Sequence, residues 1–268
     1  MVNKQRDESQ HRARLWLEQV LFCVLAYALA WSAWIPLWSG GQIVSKGALP
    51  THLPGLLAPA LAALAVTLFK GRGALIALLH RLLRLPTRAT DWLLALSPLA
   101  MIAIVLLFGA DVSGLERYSG IPPLPFLATL LLVLVVNGLG EEIGWRGFLL
   151  PRAQALLGVR TGTLASGTIW ALWHLPMFFV LETYRTMGLL GLVFGFGVGI
   201  LAGACVLAHM TARAHGGVVL AVLWHTGFNL GTGTALGGLA PALLSTLAII
   251  WALWLLRYAP EAMRLPIT

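Results

Sequence analysis

The sequence predicts an all-α fold, a polytopic membrane helix bundle of about eight transmembrane helices, and three observations carry that prediction. Of 268 residues, 59% are hydrophobic and 10% charged, with a mean hydropathy of +0.85. Soluble domains carry roughly a quarter charged residues, which they need to clothe a water-facing surface. The apolar residues fall in eight runs, and Lys and Arg divide fifteen against three between alternate sides of those runs. This composition excludes a cytosolic globule, a disordered chain and a disulfide scaffold. Helices remain because a backbone in lipid must satisfy its own hydrogen bonds over about 20 residues per crossing.

The first run, about Trp16 to Trp38, follows a basic stretch and contains Ala28-Leu29-Ala30, which imitates a signal-peptide cleavage site. It continues through Trp31, Trp34 and Ile35, too long for a signal core, so an uncleaved first span is expected. Leu53 to Phe69 is the second run. The stretch from Ala74 to Leu85 sets His80, Arg81 and Arg84 among leucines; too short and too basic to cross, it is expected to form an interfacial amphipathic helix near 74–85. Trp92 to Ala110 and Pro125 to near Pro151 are the third and fourth runs. Leu164 to Leu181, Leu189 to Met210, Val218 to Gly233 and Ala240 to Leu256 complete the set. Trp16, Trp38, Trp92 and Trp254 fall near run ends, as interfacial anchors do. Gly195, Gly199 and Gly203 recur every fourth residue, a spacing expected to bring two helices close. Neither a repeat nor a composition break divides the chain, so residues 1–268 are read as one membrane-embedded domain.

Eight spans leave both termini on one side. That side holds fifteen basic residues, and the other holds only Lys46, Arg117 and Arg185. The positive-inside bias then places both termini in the cytoplasm. It also accounts for the net charge of +8 through anionic lipid headgroups, so membrane lipid is an expected partner and nucleic acid is not. The abundance of Arg over Lys, with many Ala, Leu and Gly, suggests a GC-rich prokaryotic genome and hence a prokaryotic cell membrane. Cys23 and Cys205 lie in apolar runs and read as small hydrophobes rather than as a disulfide or metal ligands.

Charge within a span is costly, so the polar residues found there are informative. Eight of the ten acidic residues are assigned to loops, tails or span ends; Glu141 and Glu142 are not. Residues four apart on a helix stack, so Glu142 pairs with Arg146 on one face while Glu141 points elsewhere and is left to exchange a proton. The alternative is a structural ion pair that locks two helices. Of seven histidines, His11, His52, His80, His209 and His215 are assigned to tails, loops or span ends, leaving His174 and His225 inside. His174 follows Trp170 by one turn and His225 precedes Asn229 by one turn. At about 1.5 Å per residue, Glu141, His174 and His225 lie roughly 10 to 25 Å from the cytoplasmic ends of their spans and can converge. A carboxylate base, two imidazoles and an amide around water are the parts for hydrolysing an acyl bond. Ser166 and Cys205 have no neighbour that would activate them as nucleophiles. The same buried groups would also serve a proton-coupled transporter, although no inverted repeat is visible; a non-catalytic scaffold is the third reading.

The pattern resembles the CPBP (Abi) family of intramembrane proteases, which includes the CAAX prenyl endopeptidases and bacteriocin-processing relatives. Glu141, Glu142 and Arg146 match its Glu-Glu-x-x-x-Arg motif; His174 matches Phe-x-x-x-His with Trp170 in place of Phe; His225 and Asn229 match His-x-x-x-Asn. The resemblance covers about Pro125 to Gly233. It implies an endopeptidase in which Glu141 and His174 activate water, Glu142 and Arg146 support them, and His225 with Asn229 stabilises the oxyanion. The substrate would be a membrane-associated peptide or protein, lipidated or not. Zn²⁺ held by His174, His225 and Glu141 is an open alternative, since three ligands and a water make a catalytic zinc site but His-Glu-x-x-His is absent. The Trp170 departure is expected to alter pocket shape more than chemistry.

Overall fold

The computed structural model describes residues 2–266, with side chains from Gln5 onward. All eight apolar runs are helical. The first lies in α1, Val2–Ser39, whose buried face is the fourfold stripe Phe22, Ala26, Ala30 and Trp34, while Leu17, Val20, Leu21 and Val24 remain exposed for lipid. The second run breaks into a short turn, Leu53–Leu56, and α2, Ala58–Phe69; Pro54 and Pro59, which lack a backbone N–H, stand at the two starts. The amphipathic segment forms α3, Arg72–Leu83, burying Leu78. The third run is bent by 53° between α4, Ala89–Ala95, and α5, Ser97–Leu107, just before Pro98.

The fourth run is the central helix α6, Phe126–Leu157. It is followed by α7, Val159–Trp173, α8, Gly191–Arg213, α9, Val219–Gly233, and α10, Leu239–Tyr258. The middle of α6 packs against α2 on one side and α9 on another, and α8 joins α7, α9 and α10.

Length modifies the expected eight spans. Five helices are long and apolar enough to cross a membrane, or six if the bent α4–α5 pair counts as one. At about 1.5 Å per residue, α2 and α9 reach only roughly 18 and 22 Å, short of a bilayer core of about 30 Å. Their faces are largely buried within the bundle, so packing against α6, rather than lipid, covers them.

Several residues assigned to solvent are enclosed. Glu18 is buried and gathers Lys70 Nζ at 2.7 Å, Arg152 Nε at 2.8 Å and Arg14 Nε at 3.9 Å, tying α1 to the ends of α2 and α6. Asp91 is buried against Arg213. His52 and His209 are buried as well. Distant segments of the chain supply the partners, which is why spacing alone assigned these groups to water. At the opposite end, Lys46 Nζ donates to the Thr234 carbonyl at 2.6 Å, and isolated bridges join Val44 to Leu181, Lys46 to Ser119 and Tyr118 to Thr234. These contacts tie the segments around Lys46, Ser119, Leu181 and Thr234 to one another.

The Gly195, Gly199 and Gly203 stripe does not mediate the expected close helix contact. A Cβ on Gly199 would meet nothing within 4 Å, and one on Gly195 would meet only Met187 Sδ at 3.9 Å. Gly203 faces the Trp170 ring at 3.7 Å. Cys23 and Cys205 are free thiols.

Candidate active site

The acidic pair sits on α6 between two π-helical turns, Leu134–Leu139 and Trp145–Leu149, that flank the α-helical Gly140–Gly144. Such turns re-aim side chains and occur often at functional sites. Glycines let the neighbours approach this stretch: a Cβ on Gly138 would fall 2.6 Å from Thr226 Oγ1 of α9, and one on Gly144 2.5 Å from Pro59 of α2. Bulk at either position would separate the elements that carry the site.

Glu142 is fully buried, and its Oε1 accepts from Arg146 Nη1 at 2.9 Å and from His225 Nδ1 at 2.7 Å. The predicted i,i+4 pairing of Glu142 with Arg146 is present, and His225 joins it from α9. Glu142 Oε2 is buried without a hydrogen-bond partner among the described residues, an acceptor that a water or a substrate N–H would satisfy. Glu141 points elsewhere, as expected, and its Oε2 accepts from the Trp170 indole Nε1–H at 2.8 Å.

His174 owes its orientation to the end of α7. Pro176 cannot continue the helix, and the His174 N–H turns to the Ala171 carbonyl at 3.1 Å. The Trp170 carbonyl is thereby freed and receives His174 Nδ1–H at 2.8 Å, as side chains commonly cap last-turn carbonyls. A carbonyl only accepts, so the proton is on Nδ1 and the Nε2 lone pair is available. His225 likewise donates through Nδ1 to Glu142, which leaves its Nε2 outside that bond.

Trp170 joins these groups. Beyond its bond to Glu141, its ring lies under the Arg146 guanidinium at 4.2 Å and meets the rings of His174 and His225 edge-on at 5.8 and 5.4 Å. The structure thus gathers Glu141, Glu142, Arg146, His174 and His225 around one indole. Asn229 lies one turn beyond His225 on α9 and is half-buried, and no hydrogen bond ties it to the others among the described residues.

Sequence reasoning missed Asn137, one turn before Glu141 on α6, which accepts from the Tyr118 hydroxyl at 3.1 Å; a buried carboxamide in the same span was the available signal. Tyr118 arrives from a loop and left none. Among the described residues no group of three His, Cys, Asp or Glu side chains is disposed to hold a metal ion.

Comparison with known proteins agrees with the motif reading. The family described as Type II CAAX prenyl endopeptidase Rce1-like matches residues 123–231. Over these residues the chain is similar to that family. The match takes in all six motif residues and bears out the resemblance to CPBP-type proteases. A relative, CAAX prenyl protease 2 of Methanococcus maripaludis, is 26% identical over 141 residues, which are 50% of this chain and 52% of that protein. The chain therefore spans about half the length of this curated relative. Within the matched residues lie α6, α7, α8 and most of α9, the helices that carry the candidate site.

Proposed function

We propose that this chain is an intramembrane endopeptidase that hydrolyses a peptide bond of a membrane-associated substrate with a water activated by Glu141 and His174. The observation that carries the reading is the meeting of the acidic pair with two histidines from separate helices around Trp170. His174 Nε2 and the free oxygen of Glu141 are the available acceptors for the protons of an attacking water. Loss of a proton to either makes the water a nucleophile toward the scissile carbonyl, and the same proton passes to the leaving amine when the tetrahedral intermediate collapses. Glu142 holds Arg146 and orients His225. An oxyanion would be met by the Asn229 amide and by His225 Nε2, which carries a proton only when the ring is doubly protonated, with Glu142 as its counter-anion.

The substrate is proposed to be a CAAX-type C-terminal segment or a propeptide reached from the cytoplasmic face. The name of the archaeal relative favours the first. The deciding experiment compares purified wild type with Glu141→Gln on a farnesylated, internally quenched CAAX peptide and on an unprenylated propeptide. The variant should fold and lose cleavage; cleavage at the wild-type rate refutes Glu141 as the base.

A further inference from the structure

We infer that Trp170 is a positioning residue whose indole N–H fixes the Glu141 carboxylate, a role for which the phenylalanine of the resembled motif has no atom. The inference deepens the proposed function and rests on Glu141 as the base. Three of the contacts of Trp170 use its ring: Arg146 above it and the edges of His174 and His225. A phenyl ring supplies a face and an edge too. The fourth, Nε1–H to Glu141 Oε2 at 2.8 Å, needs the indole nitrogen.

That bond is the one hydrogen bond to Glu141 among the described residues. A buried glutamate with no such donor has rotatable side-chain bonds and an unsatisfied acceptor, so its free oxygen has no fixed bearing on a water. With Oε2 tied, Oε1 is presented in one direction. The guanidinium over the ring withdraws electron density from the indole and makes its N–H a stronger donor. Arg146 is itself held by Glu142, so the indole links the two glutamates, one through its face and the other through its N–H. On this inference Trp170 bears on the chemistry of Glu141 as well as on pocket shape.

The test uses the 268-residue chain in nanodiscs. Trp170→Phe removes the donor and keeps an aromatic ring; Trp170→benzothienylalanine replaces the N–H by sulfur and keeps the bicyclic shape. On the farnesylated CAAX peptide both should lower kcat by about ten- to a hundredfold, the range for losing a hydrogen bond to a charged group, with KM within about twofold. Wild-type kcat in the benzothienylalanine variant overturns the inference, as does a loss confined to KM. A second readout is independent of cleavage. In protein carrying ¹⁵N-indole tryptophan, the cross-peak missing from Trp170→Phe should move when Glu141 is changed in Glu141→Gln; an unmoved peak overturns the inference. Failure of the wild type to cut either peptide refutes the peptidase reading and leaves the indole resonance to decide the hydrogen bond.

Discussion

Removing the anion that Arg146 and His225 share should be among the most damaging single changes in the bundle. Glu142→Gln leaves the Arg146 guanidinium, almost fully buried, with no carboxylate at 2.9 Å, and offers His225 Nδ1 a neutral oxygen in place of an anionic one. Breaking a buried pair by deleting one partner typically costs about 3 to 5 kcal/mol, because the other charge stays desolvated. The cation–π contact with Trp170 offsets part of this, so a loss near about 3 kcal/mol is expected. Arg146→Met should cost a similar amount by stranding Glu142. The double variant carries neither buried charge and should cost far less than the two losses added together, giving a coupling of about 2 kcal/mol or more. Reversible unfolding in mixed micelles across the four proteins measures each term. Additivity within about 0.5 kcal/mol would show that the two groups do not stabilise each other as the geometry requires.

Further expectations follow from individual contacts. Gly144→Ala places a methyl 2.5 Å from Pro59 and should destabilise by about 1 to 3 kcal/mol through overpacking, whereas Gly199→Ala enters open space and should be neutral or stabilising by up to about 1 kcal/mol; equal effects in thermal unfolding would contradict the packing described. Chelation with 1,10-phenanthroline should leave cleavage unchanged; a loss restored by added Zn²⁺ would overturn a base built only from protein groups. His52, in the loop before α2, is held down to about 4 by burial first and by His174 second. Between about pH 6.5 and pH 4 the unfolded chain therefore binds a proton that the folded one refuses, so stability is full above pH 6.5 and falls by about 3 kcal/mol as the pH approaches 4. His52→Gln should flatten that part of the stability profile, and an unchanged slope would place the titration elsewhere.

The helical class was legible because it depends on how many apolar residues occur together, a property of the chain that no partner alters. Glu142 with Arg146 was legible for the same kind of reason, since four residues along a helix is a fixed distance. The crossing count was less so: α2 and α9 are apolar enough to resemble spans, and only their packing against α6 shows that protein rather than lipid covers them. Glu18, Asp91, His52 and His209 read as solvated because the residues that enclose them come from elsewhere in the chain. The open Gly195 and Gly199 surface shows the converse, a spacing suited to close contact that no helix occupies.

At the site the division is the same. Sequence alone identified Glu141, Glu142, Arg146, His174, His225 and Asn229 as candidates, because charge and imidazole inside an apolar run carry a desolvation cost that marks them wherever the helices later pack. Only the tertiary structure decided that Glu142 takes both Arg146 and His225, that Tyr118 meets Asn137, and that the Trp170 indole lies among Arg146 and both histidines with its N–H on Glu141. Hydrogen bonds extend about 3 Å and depend on direction, so contacts between helices tens of residues apart are fixed by how the bundle closes and leave no period in the chain to be read.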